Sequence, residues 1–425
     1  MKKIEICKLI IQTIKAFIFS QECIDTHRKP NTFVRKRKLS FVQVILFLFF
    51  TSKASMNQNL AAIRDEFDSI SFPDISKQAL SKARQAIHPD LFKELFQFSV
   101  DLFYKHTSQR KTWKGLHLFA IDGSKIELPN SKSNFEFFGQ MFGYPDSNRK
   151  YTQALGSIVY DVLDDYIVHA SIHRFYASER SAAIEHLKNL ELLNIYDNSV
   201  VIFDRGYYSE DMFRHCVRHG YLCLMRLKDS FKISKSCRGD TTSVLKGDPS
   251  KNIEDIPIRV IEVILDDGSR EYLGTNLFDP SFTTDDFRNL YFYRWPVETK
   301  YLELKQRLSM EEFSGATPVS IFQEFFINML FSNLSALVKA SVDEALDENS
   351  NPSNSYRYQA NRSFIIGRMK KVIAKILADI KDISSIDIVF QDACRCRSQI
   401  QPNRKNIRKK KNVGRTHFNN KKTTL

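Results

Sequence analysis

Between Tyr291 and Leu308 the chain reads YFYRWPVETKYLELKQRL, with two carboxylates, Glu298 and Glu303, set among cations and aromatic rings. Tyr291, Arg294, Glu298 and Lys305 lie at offsets 0, 3, 7 and 14. At about 100° per residue these offsets share one narrow helical stripe, and Glu303 falls off it. Pro296 removes a backbone donor and clashes with the preceding turn. A helix is therefore expected to restart there, with Pro296 in its first position. Glu298 then sits in a first turn, where the positive helix end favours an ionised carboxylate. Val297, Tyr301, Leu304 and Leu308 form an apolar seam that would anchor it. Arginine offers phosphate a fork of donors and lysine a point charge, so the stripe suits a site that handles phosphodiesters. Taken singly, each residue also suits a surface helix with ion pairs.

Two aspartates upstream are candidates to join Glu298. Leu116–Ile121 is an apolar run that ends in Asp122-Gly123-Ser124, and Ser199–Phe203 is another that ends in Asp204-Arg205-Gly206. The nearby glycine places each aspartate at a strand end on a tight turn. Such a pair is commonly only a turn, as Asp267-Gly268 reads. The chemistry of all three together is specific. Cleaving a phosphodiester needs charge stabilisation on the attacking and leaving oxygens, which two Mg²⁺ ions about 4 Å apart supply through hard carboxylate ligands. Three carboxylates cannot crowd together without cations, because their repulsion raises their pKa values.

The order Tyr, two residues, Arg, three residues, Glu, six residues, Lys resembles the signature of the insertion-sequence-4-type transposases, a DDE family with an RNase H-like core. It is met here without a gap. DGSKIELP from Asp122 and FDRGYYSEDMF from Phe203 resemble the family's two aspartate boxes, in the expected order. The resemblance implies that Asp122, Asp204 and Glu298 are catalytic and bind metal. Asp122 would bridge two Mg²⁺ ions, with Mn²⁺ able to substitute, while Asp204 and Glu298 hold one each. It implies phosphate contacts by Tyr291, Arg294 and Lys305, with Arg205 joining them. The structural alternative for Arg294 and Lys305 is an ion pair with a carboxylate such as Glu298. Relatives cut one strand with water, form a hairpin and then transfer the strand, acting as a homodimer on terminal inverted repeats and target DNA. A flipped base there stacks on an aromatic ring. Trp113 and Trp295 lie outside the segment expected to carry that ring, so Phe231 or Tyr272 is expected to serve. Two other readings are an RNase H-like nuclease without strand transfer and an inactive DNA-binding relative.

The elements that must position these residues give a mixed α/β (α+β) fold class. The expected architecture is an RNase H-like mixed sheet flanked by helices, with a β-rich insertion, a helical N-terminal domain and a helical C-terminal region. Residues 1–108 read as a helical DNA-binding domain. Within it Ser76–Ser99 starts on a serine cap and is split by Pro89. Lys77, Lys82 and Arg84, with Gln78 and Ser81, are expected on a DNA-facing surface, and Arg28–Lys38 adds a basic cluster. Residues 109–227 read as the first part of the catalytic core: Leu155–Tyr160 and Tyr166–Phe175 as a hairpin, Glu179–Leu193 as a helix, then Ser199–Phe203, helix Glu210–His219 and strand Tyr221–Leu227. Residues 228–285 read as the insertion, with a hairpin around Asp266-Asp267-Gly268. Residues 286–342 complete the core with the Glu298 helix. A helical region spans 343–394, opening on a polar linker over Asp343–Tyr358. Residues 395–425, with Arg404, Lys405 and Arg408–Lys411, read as a disordered basic tail.

The 425 residues suggest two or three domains. The formal charge of +14 implies a polyanionic partner, most simply nucleic acid. The longest apolar run, Phe41–Phe50, is about half a membrane span, and the polar spacing of Glu5, Lys8, Gln12 and Lys15 reads as an amphipathic helix rather than a signal peptide. No membrane partner is expected. Seven scattered cysteines fit a reducing cytosol, so a cytoplasmic, nucleoid-associated bacterial protein is expected. Cys394 and Cys396 lack zinc-knuckle spacing.

Overall fold

The computed structural model describes all residues except 36–37, 52–53, 68–70, 143–149, 351–355 and 401–425. Six helices open the chain: α1 Lys3–Ile18, α2 Gln21–His27, α3 Phe41–Phe50, α4 Met56–Glu66, α5 Lys77–Arg84 and α6 Asp90–His106. Serine caps start several of them. In α3, Ser40 and Gln43 form a reciprocal capping box before the apolar run, which is buried. Ser76 caps α5, and Pro89 separates α5 from α6.

The strands then begin: β1 His117–Leu128, α7 Lys132–Phe138, β2 Met141–Phe142, β3 Lys150–Asp161, β4 Tyr166–Arg174, α8 Glu179–Leu192, β5 Ser199–Phe203, α9 Glu210–Arg218 and β6 Leu222–Leu227. The order β4-β3-β1-β5-β6 is antiparallel across β4/β3/β1 and parallel across β1/β5/β6. This is the RNase H-like mixed sheet. The five residues of β5, SVVIF, are all buried, as a parallel strand covered on both faces requires.

The following segment holds α10 Lys232–Ser236, β7 Asp240–Leu245, β8 Ile256–Ile264 and β9 Arg270–Thr275. It is no separate sheet. β9 pairs with β6, so the three strands extend the central sheet in the order β6-β9-β8-β7.

The chain continues through α11 Thr284–Phe292, α12 Trp295–Gln306 and α13 Pro318–Glu348, then β10 Tyr358–Ala360, α14 Arg362–Leu377, α15 Ser385–Arg395 and β11 Arg397–Gln399. α13 has 31 residues and is long and apolar enough to cross a membrane, but 89% of its apolar window is buried in the protein. It packs on α1, α6, β4 and α14 and is the centre of the helical layer. α13 runs through the first residues of the linker expected from Asp343. There Asp343 is held by Lys339 at 2.6 Å and by the Ala360 amide at 2.7 Å. The first residues of the expected tail are ordered too, because β11 pairs with β10. The basic cluster Arg404–Lys411 lies outside the described residues.

Candidate active site

β1 and β5 run parallel, with Ile121 opposite Phe203 as their last pair. Asp122 and Asp204 therefore occupy the next rung on neighbouring strands, which lie about 4.8 Å apart. β5 ends there, but β1 does not. It stays paired with β3 from Asp122–Ile158 to Leu128–Thr152. Asp122 thus stands within a strand rather than on the terminal turn expected for it, at the point where β1 outruns β5. Its Oδ1 accepts the Gly123 amide at 2.9 Å.

Glu298 comes to the same edge on α12. The helix starts at Trp295 with Pro296 as its second residue. Val297, Tyr301, Leu304 and Leu308 are all buried, so the apolar seam holds the helix on the core. Tyr301 fixes its register, its hydroxyl lying 3.0 Å from the carbonyl oxygens of both Asp122 and Gly156. Arg294, just before the helix, has a buried side chain. It donates to Glu298 Oε1 at 2.6 Å, and its Nε lies 3.8 Å from Asp204 Oδ1. The Tyr291 hydroxyl donates to the same Asp204 oxygen at 3.2 Å. Trp295 packs under the guanidinium, 4.5 Å from ring centre to carbon, and is part-exposed. The Asp204 and Glu298 side chains are 44% and 40% exposed, so solutes can reach them.

Burial pushes the Asp122 carboxyl up to about 7; the Gly123 amide and Arg294 pull it down, and the charges of Asp204 and Glu298 push it further up. Like-charge repulsion among three remote carboxylates thus acts in one place. Such hard oxygen donors suit a divalent cation. Arg294 stands in for that charge between Asp204 and Glu298. In this arrangement no group of three or more acidic, His or Cys side chains among the described residues is drawn tightly enough to hold an ion. The donor set fits in chemistry, and the guanidinium takes the neutralising place.

Residues 113–334, more than half of the chain, match the transposase DDE domain family. The chain is 23% identical over 276 residues to the transposase InsG for insertion sequence element IS4 of Escherichia coli (strain K12), across 62% of this chain and 61% of that protein. It belongs to the insertion-sequence-4-type DDE transposase family. It is also 26% identical over 153 residues to InsZ of the same organism, across 35% of this chain and 50% of that protein. The match thus spans less than two thirds of either relative. Among solved structures, it is similar to a piggyBac transposase synaptic complex with hairpin DNA, with a TM-score of 0.47 and 11% identity, over 91% of this chain and 84% of that one.

Against the family signature, Lys305 is partly engaged already. Its ammonium bonds the Lys125 carbonyl and pairs with Glu311 at 3.0 Å. Arg205 is exposed beside Asp204. Glu303 points away from the site into a buried network, in which Lys300 lies 3.2 Å from Glu303 and 2.7 Å from Asp165, while Arg362 touches both acids. Phe231 is partly buried, against Tyr208, and Tyr272 is 9% exposed. Lys77 and Lys82 are exposed on α5. Arg84 is not, and its expected place on a DNA-facing surface is wrong. It is 2% exposed and bonds Gln323, Ser314, Glu324 and the Ser320 carbonyl. Its position on the helix points it into the interface with α13, where its guanidinium makes four hydrogen bonds. Sequence reasoning missed Arg180 and Tyr301 as supports of the site. Tyr301 was legible only as part of the apolar seam, and nothing in the sequence marked Arg180.

Proposed function

We propose that this protein is a DNA transposase that cuts at the ends of its element and joins them to a target, with Asp122, Asp204 and Glu298 as the acidic residues at the reacting phosphodiester. The observation that carries the reading is the Arg294 guanidinium. It binds Glu298 and faces Asp204, which sits one strand away from Asp122. Bound divalent cations, Mg²⁺ with Mn²⁺ able to substitute, would supply charge stabilisation to the attacking and leaving oxygens. The protein's part is to hold the three carboxylates. Tyr301 ties α12 to the Asp122 strand, and Tyr291 orients Asp204. Arg294 brings a planar donor fork suited to phosphate oxygens once its carboxylates are otherwise neutralised. Lys305 and Arg205 lie along the same edge and are assigned to the DNA backbone. The +14 charge supports a DNA partner, engaged through terminal inverted repeats by two copies of the chain in a cut-and-paste reaction through a hairpin.

The test uses full-length protein, Mg²⁺ and a supercoiled plasmid carrying the coding region with its natural flanks. Cleavage at the borders and joined products are expected. Asp122→Ala, Asp204→Ala and Glu298→Ala should each lose cleavage while retaining DNA binding. A variant that still cleaves removes its residue from the site. Cutting with no joined product would instead identify a nuclease.

A further inference from the structure

Asp122 and Asp204 are fixed to each other by neighbouring strands, whereas Glu298 comes from a helix and joins them only if α12 docks at one rotation and height. The Asp204 loop has a clamp of its own. Arg180 donates from Nε to the Tyr207 carbonyl at 3.1 Å, and from a terminal nitrogen to the Gly206 and Tyr208 carbonyls at 3.2 and 3.1 Å. On α12, Lys300 and Glu303 follow Glu298 at about 200° and 140° round the helix. They therefore lie at its back, on the face turned away from Glu298.

Both are enclosed there, 3% and 8% exposed. The Lys300 ammonium lies 2.7 Å from Asp165 Oδ1 and 3.2 Å from Glu303 Oε1. Asp165 belongs to the turn between β3 and β4, where it takes the left-handed backbone at φ +57° and also accepts from the Tyr160 hydroxyl. Arg362, the first residue of α14, closes the set. It touches Asp165 through a terminal nitrogen and Glu303 through Nε. Two cations and two acids thus neutralise one another where α12, the β3–β4 turn and α14 meet. Arg362 stands beyond the segment that matches the family, which ends at residue 334.

Burying four charges is a poor way to gain stability alone, since apolar side chains of the same size serve as well or better. Directed donors and acceptors add register, because the contacts form together only at one setting of the helix. Resting on the reading above, we propose that Arg362 is a positioning residue for Glu298. Through Glu303 and Asp165 it sets α12 against the sheet, so that Glu298 reaches the edge that carries Asp122 and Asp204.

The test is Mn²⁺ binding to the full-length, DNA-free protein, read from the electron paramagnetic resonance signal of free Mn²⁺, with the urea midpoint measured alongside. Arg362→Gln should weaken binding about tenfold or more, the size expected when a group that orients a metal ligand is removed. Glu298→Gln should weaken it at least as much. Glu303→Gln keeps an oxygen for Lys300 and removes the charge that faces Arg362, so it should repeat the loss, and it decides the matter should Arg362→Gln not fold. Met369→Ala cuts buried apolar packing about two turns along the same helix, and should bind as the wild type even where it lowers the urea midpoint as far. If Arg362→Gln and Glu303→Gln bind as the wild type while Glu298→Gln does not, the positioning role is overturned and the cation site stands. If Met369→Ala loses binding alongside its midpoint as Arg362→Gln does, the effect is one of stability and the role is overturned likewise. If Asp122→Asn, Asp204→Asn and Glu298→Gln all bind as the wild type, the cation site itself falls, and the role of Arg362 with it.

Discussion

Asp122 holds a carboxyl where folding removes water and brings two further carboxylates near, and its value is driven up to about 7. In the unfolded chain it would titrate at its ordinary 3.8. Between those two values the folded protein binds the extra proton, so stability falls as pH rises from about 4 to about 7. Over that span the loss is of order a few kcal/mol. Asp122→Asn removes the ionisation and keeps an oxygen for the Gly123 amide. In urea unfolding with a chelator present, the variant should match the wild type near pH 4 and exceed it above pH 7. An advantage that does not change with pH would show that burial of this carboxyl is not the cause. The same residue marks a limit of sequence reading. The Arg294–Glu298 pair follows from spacing, since residues four apart on a helix meet. That Arg294 also faces Asp204 depends on how α12 docks, which no local pattern encodes.

At the scale of elements, the order of strands and helices was legible because each has its own periodicity and punctuation. The apolar β5 is bounded by Asn198 and Asp204, and the α5–α6 break falls at Pro89. The length of β1 was not legible. Asp122-Gly123-Ser124 breaks the apolar run, and only pairing with β3 keeps the chain extended to Leu128. The join of β9 to β6 is likewise a long-range pairing, so the insertion's place in the central sheet escaped local reading. One contact between elements has a measurable consequence. His169 on β4 and His186 on α8 meet through their Nδ1 atoms at 2.8 Å, and His186 Nε2 lies 2.9 Å from the Ser157 hydroxyl on β3. Burial holds the His169 ring down at about 3 and the His186 ring well below its usual value, so both stay neutral in the fold. Below pH 6.5 the unfolded chain takes up protons that the folded chain refuses. Stability should therefore drop by about 1.4 kcal/mol per pH unit for each ring as pH falls. Chemical unfolding at pH 7, 6 and 5 reads this slope. His169→Gln with His186→Gln should flatten it, and an unaltered acid limb would place the acid sensitivity elsewhere.

Across the whole molecule, three cations on one short helix sit in different surroundings. Lys77 and Lys82 on α5 face solvent, whereas Arg84 on the same helix is enclosed. From sequence the three are alike, because the partners of Arg84 lie far along the chain, Gln323 being 239 residues away. Arg84 reaches Gln323 at 2.7 Å, Ser314 at 2.8 Å and Glu324 at 2.9 Å, and Gln323 returns bonds to the Arg84 and Ile87 carbonyls. The joint fixes the N-terminal helices to the start of α13, which also packs with α14. Removing Arg84 leaves Glu324 largely buried without this partner and strips acceptors of their donors. Arg84→Ala should therefore cost about 3–5 kcal/mol in urea unfolding. Lys77→Ala with Lys82→Ala should leave the unfolding midpoint where it is and weaken DNA binding. It should also reduce the slope of log affinity against log salt by about 1.8, the value for two lost phosphate contacts. Measured side by side, the two variants decide the assignment. An Arg84→Ala protein as stable as the wild type would mean that the joint contributes little, and an unchanged salt slope in the double variant would take α5 off the DNA.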